Sequence, residues 1–207
     1  MSELPGRPQA RTLLLRFLVV AVLVALDLWS KHAVFAWLEG SLEMQRDACG
    51  HKRLHVLGDD VGWFTFMLSL NPGAAFGQFA SWPHVLVGGR IIAVLFLCFL
   101  VIRTETRRPW FTAALVLVMS GALGNLYDNL MMPRIDDRPY GMVRDFIDVY
   151  FANWNWHFPT FNVADSCITV GAVLLLLSGL GKQEPVPDSS PPPESNEPPA
   201  GPDPSAL

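Results

Sequence analysis

The chain has 207 residues, of which 51% are hydrophobic and 16% charged, and a formal net charge of −4. Soluble domains carry roughly 25% charged residues, so this composition argues for a membrane protein. The sequence has neither a Lys/Arg-rich stripe nor a CxxC pair among its three cysteines, which argues against nucleic acid as a partner and against a disulfide framework.

The apolar residues are grouped into long runs, each near the ~20 residues that cross the hydrocarbon core of a membrane. Only helices satisfy the backbone of such segments in lipid. The predicted spans lie at about residues 13–37, 85–102, 110–130 and 161–180. A cleaved signal peptide is the alternative for the first run. However, Asp27, Trp29 and Lys31 follow its apolar stretch, instead of a small-residue cleavage site.

Basic residues predict the orientation, because short loops rich in Lys and Arg stay in the cytoplasm. They lie before the first span and in its first turn (Arg7, Arg11 and Arg16) and in the short link between the second and third spans (Arg103, Arg107 and Arg108). Both termini are therefore expected in the cytoplasm, and the loops at about 38–84 and 131–160 outside. Residues 1–12 form the predicted cytoplasmic N-terminus, and the Pro-rich segment 182–207 a disordered cytoplasmic tail.

Polar residues mark the outer ends of the first two spans. Asp27 and Lys31 are four residues apart on one helix face and can form a buried ion pair with a structural role. Before the second span stands the segment Asn-Pro-Gly-Ala-Ala-Phe-Gly, residues 71–77. Its Asn-Pro-Gly predicts a turn, although the small residues around Phe76 would also suit an extended segment along a substrate backbone.

The third span ends in a polar stripe. Gly121, Gly124, Asn125 and Asp128 recur at the spacing of one helix face. The two glycines let another backbone approach closely, and the amide and carboxylate then point into the same crevice. Taken alone, the stripe is equally consistent with a hydrogen-bonded packing seam.

Further carboxylates and amides precede and open the fourth span. Asp145 lies among apolar neighbours in the preceding loop, where a single carboxylate needs no special role. Asn162 and Asp165 are three apart and share a helix face, although a helix start also favours a carboxylate through the dipole. With the predicted topology all these polar groups collect at the outer membrane surface, which scattered structural residues would not do.

This cluster favours the chemistry of aspartic peptidases. The sequence contains no HExxH and no GxSG-like serine element with a suitable histidine, so zinc and serine peptidases are unsupported, and neither a metal nor a cofactor is expected. Two carboxylates in a low-dielectric crevice share one proton; one activates water and the other protonates the substrate. The residues alone leave four candidates open: Asp128, Asp145, Asp148 and Asp165.

In combination, these motifs resemble those of lipoprotein signal peptidase, also called signal peptidase II. The resemblance extends over most of residues 13–181 and includes five motifs in family order, a specific combination. They are the Asp27…Lys31 pair, the segments 71–77 and 121–128, Asp145-Phe146, and the segment 161–166.

The resemblance implies an all-α membrane protein, a four-transmembrane-helix bundle with a small extracytoplasmic β-sheet and a helical loop. It implies a monomeric aspartic endopeptidase of the bacterial inner membrane, with membrane lipids around it. Its substrates would be diacylglyceryl-modified prolipoproteins, cut before the lipidated cysteine. The implied catalytic pair is Asp145 and Asp165. The implied substrate-binding or supporting residues are Asn71, Gly73, Asn125, Asp128, Asn162, Ala164, Asp27 and Lys31.

Two departures from the family pattern leave alternatives open. The family usually has arginine directly after the third-span aspartate, where this chain has Asn129, and we hypothesise that Arg134 or Arg144 substitutes. The loops at 131–142 and 37–82 are also long. A catalytically weak or inactive member that binds lipoprotein precursors is one alternative; a small proton-coupled transporter, which would need polar residues through the membrane midplane, is another.

Overall fold

The computed structural model describes residues 8–40, 45–46, 52–57, 63–74, 77–135 and 137–180. The helices are α1 (Ala10–Gly40), α2 (Pro83–Arg103), α3 (Pro109–Met131) and α4 (Val163–Leu180). The strands are β1 (Gln45–Arg46), β2 (Lys52–Leu57), β3 (Phe64–Asn71), β4 (Val143–Phe151) and β5 (Trp156–His157), and a short 3₁₀ helix covers Ala152–Trp154. The predicted tail, residues 182–207, lies outside the described residues.

The four helices coincide closely with the predicted apolar runs. α2 and α3 both begin with proline, which is favoured at the first helical position because its missing N–H has no helical partner there. α1, α2 and α3 are long and apolar enough to cross a membrane, and α4 is a shorter apolar helix that packs along α3. Their outer faces expose large apolar side chains, as a lipid environment requires: Leu14, Leu18, Ile92, Leu95, Phe96, Phe99 and Leu176.

A buried arginine joins the first two helices at one end of the bundle. Nη1 of Arg16 donates hydrogen bonds to the carbonyl oxygens of Val101 (2.7 Å) and Thr104 (2.8 Å). Those carbonyls belong to the last turn and C-cap of α2, where helical acceptors lack partners and a cation is favoured. Arg16 therefore fixes the beginning of α1 against the end of α2.

The antiparallel sheet lies at the opposite end of the bundle, which we call the sheet end. Its strand order is β1-β2-β3-β4-β5. Phe66 of β3 makes edge-to-face contacts with Trp37 near the end of α1 (6.1 Å between ring centroids) and with Phe146 of β4 (5.9 Å). An isolated β-bridge between Ile147 of β4 and Phe161 holds the residues just before α4 against the sheet. The sheet thereby contacts both the C-terminal part of α1 and the segment that leads into the start of α4.

Glycine permits the closest approach between α3 and α4. A Cβ at Gly121 would collide with the carbonyl oxygen of Ala164 and would lie 2.7 Å from Cγ1 of Ile168. On the facing helix, a Cβ at Gly171 would lie 2.6 Å from Cγ2 of Val118. Small residues at such positions allow the backbones of two membrane helices to come into contact. The predicted glycine stripe is thus a packing surface as well as a polar one.

We expect Gly121→Ala to lower the stability of the folded protein by about 2 kcal/mol, because α4 must move to admit the methyl group. The matched control is Gly88→Ala in α2, where a Cβ meets no atom of the described residues within 4 Å. Thermal unfolding of both variants in detergent measures the difference. Equal unfolding midpoints would show that the close contact between α3 and α4 does not constrain the bundle.

Candidate active site

A cleft of about 1050 Å³ opens at the sheet end of the bundle. The end of β3 and the turn after it, α2, α3, β4 and the start of α4 all contribute to its wall. Its polar lining is formed by Asn71, Arg90, Asn125, Asp145 and Asp165, among others. Four of these five residues, all except Arg90, were singled out from the sequence, and the structure brings these four together in one cleft.

Asp145 lies in β4, with 1% of its surface exposed. Its two carboxylate oxygens accept hydrogen bonds from two side-chain amides. Nδ2 of Asn162 donates to Oδ1 at 2.7 Å, and Nδ2 of Asn71 donates to Oδ2 at 3.1 Å. The carboxylate is therefore held at both oxygens and cannot rotate freely.

The pKa of Asp145 is raised to about 7, chiefly by burial and then by the negative charge of Asp165. The hydrogen bonds from Asn71 and Asn162 and the charge of Lys31 oppose this rise, but they are smaller effects. A carboxyl group with a pKa near 7 exchanges its proton readily at neutral pH, as a general acid or base must.

Asp165 occupies the first turn of α4 and forms a capping box with Asn162. The backbone N–H of Asp165 donates to Oδ1 of Asn162 (2.9 Å), and the backbone N–H of Asn162 donates to Oδ2 of Asp165 (3.2 Å). This reciprocal pair is a standard helix start. The other oxygen, Oδ1 of Asp165, accepts from Nδ2 of Asn125 at 2.8 Å. Asp165 thus both begins the helix and faces the cleft.

Asn125 links the carboxylates to a buried lysine. Its Oδ1 accepts from Nζ of Lys31 (3.0 Å) and from Nδ2 of Asn162 (3.2 Å). Since both partners are donors, the amide oxygen must face them and the NH₂ group must face Asp165. The third-helix amide therefore has one orientation, in which it donates to the α4 carboxylate.

Below the cleft lies a buried network of two carboxylates and two cations. Nζ of Lys31 contacts Oδ2 of Asp27 (2.8 Å) and Oδ2 of Asp128 (3.2 Å), and Nη2 of Arg144 contacts Oδ1 of Asp128 (2.7 Å). Oδ1 of Asp27 also accepts from the backbone N–H of Ala164 at 2.8 Å. The predicted ion pair between Asp27 and Lys31 is present, and it connects α1 to α3 and α4.

The Asn-Pro-Gly segment forms the predicted turn at the end of β3. Oδ1 of Asn71 accepts from the backbone N–H of Gly73 at 2.9 Å, the Asx pattern typical of turns. This bond leaves Nδ2 of Asn71 for Asp145. Phe76, on which the alternative of an extended segment depended, lies outside the described residues.

The cleft separates the four aspartates that the sequence left open. Asp145 and Asp165 line it, whereas Asp128 is bound by Lys31 and Arg144 behind it. Asp148, three residues along β4 from Asp145, accepts from the Thr65 hydroxyl (2.7 Å) away from the cleft wall. No group of three His, Cys, Asp or Glu residues suited to a metal ion occurs in the part of the chain that the structure describes.

Arg90 is a cleft residue that the sequence reasoning missed. It lies in α2, where Nη1 donates to Oδ1 of Asn129 and Nη2 donates to the carbonyl oxygen of Gly73 at 3.2 Å. The proposed substitutes are placed elsewhere: Arg134 is exposed, and the Arg144 guanidinium is bound to Asp128. A charged residue inside an apolar span was the signal that would have pointed to Arg90.

The chain matches the signal peptidase II family over residues 19–180. It belongs to that family. A protein named lipoprotein signal peptidase from Paraburkholderia phytofirmans is 40% identical over 131 residues, which cover 60% of this chain and 69% of that protein. Another protein of that name, from Pseudomonas syringae pv. tomato, is 37% identical over 165 residues, covering 77% of this chain and 82% of that protein.

Two solved structures of bacterial membrane enzymes, both obtained by the in meso method, share the fold. One has a TM-score of 0.63 at 23% identity and covers 86% of this chain and 93% of its own. The other has a TM-score of 0.62 at 22% identity and covers 87% of this chain and 100% of its own. This member of the signal peptidase II family is therefore a bacterial membrane peptidase with the family's mainly helical fold, as the resemblance implied.

In this signal peptidase II family member, stability should depend on the protonation of Asp145. An unfolded aspartate loses its proton near pH 4, but the folded one keeps it to about pH 7, so folding stability falls as the pH rises between these values. We expect Asp145→Asn to raise the unfolding temperature at pH 8 and to raise it much less at pH 4.5. Asp137→Asn, the same change in an exposed loop, is the matched control. An equal shift from Asp145→Asn at both pH values would contradict the raised pKa.

Proposed function

We propose that this protein is an aspartic endopeptidase that removes the signal peptide from diacylglyceryl-modified prolipoproteins by cutting before the lipidated cysteine. One observation carries the catalytic type: of four candidate aspartates, Asp145 and Asp165 line the cleft, and amide donors hold both. The substrate class is supported by family membership and by the relatives named lipoprotein signal peptidase.

The mechanism follows from two carboxyl groups that share one proton. Like charges in a buried site do not both ionise, and the electrostatic effect of Asp165 on Asp145 fits this arrangement. The ionised carboxylate removes a proton from a water molecule, whose oxygen attacks the carbonyl carbon of the scissile peptide bond. The protonated carboxyl donates a hydrogen bond to the carbonyl oxygen. When the C–N bond breaks, the leaving amine takes a proton from the pair.

The remaining predicted residues support this pair. Asn125 and Asn162 orient the two carboxylates through the hydrogen bonds described above. Asn71 reaches Asp145 from the turn that contains Gly73, and Asp27 holds the backbone of Ala164 at the start of α4. We assign these residues to substrate binding and to positioning of the carboxylates.

The surroundings of the cleft suit a substrate that arrives within the membrane. Apolar side chains continue the cleft from the carboxylates along α2, α3 and α4: Ala93, Ala122, Ile168 and Val170. A lipidated cysteine could place its acyl chains along this apolar wall while its peptide bond reaches the carboxylates. We place the protein in the bacterial inner membrane as a monomer, with a four-helix transmembrane peptidase domain at residues 13–181. Both termini, including the Pro-rich segment 182–207, lie in the cytoplasm, and the sheet end lies outside.

The test is cleavage of a defined substrate by the purified full chain in lipid or detergent. A diacylglyceryl-modified prolipoprotein is expected to be cut, and mass spectrometry should show a product that begins at the lipidated cysteine. The matched control is the same precursor with that cysteine replaced by alanine, which should remain uncut. If the well-folded protein binds the lipidated precursor without cutting it, the protein is instead the inactive family member that the sequence left as an alternative.

A further inference from the structure

Arg90 places a cation in the wall of the cleft. It is the eighth residue of α2, in an otherwise apolar span, where a charge is costly unless it has partners. Side chains of a helix point back toward its N-terminus, so the long arginine side chain reaches the sheet end from within the span. Its guanidinium is held there by Asn129 and by the carbonyl of Gly73.

The charges near Arg90 are those of the site itself. The carboxylates of Asp165, Asp145 and Asp128 all attract the guanidinium, Asp165 most strongly. Both of its hydrogen-bond acceptors, by contrast, are neutral amide oxygens. The guanidinium is thus fixed by neutral groups close to the two carboxylates, without forming an ion pair of its own with either one among the described residues.

The hydrogen bonds of Asn129 leave its side-chain oxygen available to accept from Arg90. Its Nδ2 donates to the carbonyl oxygen of Gly141 (2.8 Å), and its backbone oxygen accepts from the N–H of Gly141 (3.0 Å), which leaves Oδ1 to accept from Arg90. An arginine at position 129 would have no acceptor to offer and would bring a second cation to the same place. Asn129 and Arg90 therefore form one arrangement, with the guanidinium supplied from α2.

We propose that Arg90 is a substrate-positioning residue whose guanidinium binds carbonyl oxygens of the lipidated peptide in the cleft. It supplies from α2 the arginine that the family pattern has on α3. A guanidinium carries five N–H donors, and bonds to described residues use two of them. Because Arg90 lines the cleft, the remaining donors can meet substrate carbonyls. This inference rests on the proposed function. If Arg90 replaces the family arginine, the presence of Asn129 at that position no longer argues for an inactive protein.

The first test compares steady-state cleavage by wild type, Arg90→Gln and Arg90→Lys. Loss of a charge-assisted hydrogen bond to substrate is expected to raise KM about tenfold or more in Arg90→Gln, with a smaller effect on kcat. Arg90→Lys retains the charge and should lie between the two. The matched control is Arg103→Gln, the same change at the other end of α2, where Arg103 lies over the Phe99 ring; its KM should equal that of wild type.

The second test moves the guanidinium. In the double variant Arg90→Gln with Asn129→Arg, an arginine stands at the family position, and KM should return to within about threefold of wild type. A purely structural role of Arg90 predicts no such rescue. A wild-type KM in Arg90→Gln, or a double variant as impaired as the single one, would overturn the proposal.

A binding measurement separates this inference from the proposed function. The affinity of a fluorescent diacylglyceryl-modified peptide is measured with Asp145→Asn and with Asp145→Asn combined with Arg90→Gln. Weaker binding to the combined variant is expected whether or not the wild type cuts the peptide. Equal affinities would reject the role of Arg90 even if cleavage by the wild type confirms the peptidase.

Discussion

Asp145→Asn and Asp165→Asn are each expected to lower kcat for the lipidated precursor by roughly 10³-fold or more, because each removes one half of the proposed catalytic pair, which would share a proton. The double variant should be scarcely worse than either single one, since residues that act as a unit lose their effect together. Single-turnover cleavage followed by gel shift measures all three variants under identical conditions.

Asp148→Asn is the control for this experiment. Asp148 belongs to the same strand as Asp145 and is just as buried, but its carboxylate accepts from Thr65 away from the cleft wall. Its kcat should stay within about tenfold of the wild-type value. If cleavage survives in Asp145→Asn or in Asp165→Asn, the assignment of the pair is wrong, and Asp128 becomes the next candidate.

Lys31→Met is expected to destabilise the protein by about 3–5 kcal/mol, the cost of leaving a buried carboxylate without its partner. Lys31 is fully buried and lies between Asp27 and Asp128. Asp128 keeps Arg144, but in the described residues Asp27 then keeps only the backbone N–H of Ala164. Thermal unfolding in detergent at neutral pH measures the loss.

The double variant Asp27→Asn with Lys31→Met tests whether charge is the cause. It removes one carboxylate and one cation of the network, so the remaining buried charges, those of Asp128 and Arg144, balance again. We expect it to recover at least half of the lost stability, although both variants carry methionine in place of Lys31. Equal unfolding temperatures for the single and double variants would show that packing, not charge, makes Lys31 important.

The helices and the gathering of polar groups at one end could be predicted from the sequence, because apolar run length and topology determine both. The Asn-Pro-Gly turn was also predictable, since its residues form the turn through local bonds, such as that from Asn71 to Gly73. The helices and the turn depend on residues that are close in the chain, and the gathering of polar groups depends on how often the chain crosses the membrane.

The residues alone left the choice between Asp145 and Asp148 open; the family resemblance favoured Asp145, and in the structure Asp145 is the one that lines the cleft. Both lie in β4, and only the pairing of β4 with β3 and the bridge to Phe161 determine which carboxylate meets α4. The charge of Arg90 inside an apolar span was a local signal, but its partners were not predictable: Asn129 and Gly73 belong to α3 and to a loop, and the packing of α2 brings them to Arg90. Residues distant in sequence make these contacts, so local sequence patterns do not predict them.

The bond between Asp27 and Ala164 also has a consequence for biosynthesis. It joins α1, the first of the described helices, to α4, the last of them, across 137 positions of the chain. Asn125, which orients Asp165, likewise depends on Lys31 of the first helix. A nascent chain that contains only α1, α2 and α3 therefore lacks both the bond from Ala164 to Asp27 and the bond from Asn125 to Asp165. The proposed catalytic pair is complete only after α4 has been made and has packed against α1 and α3. Under the proposed mechanism, an incomplete chain therefore cannot cleave peptides in the membrane.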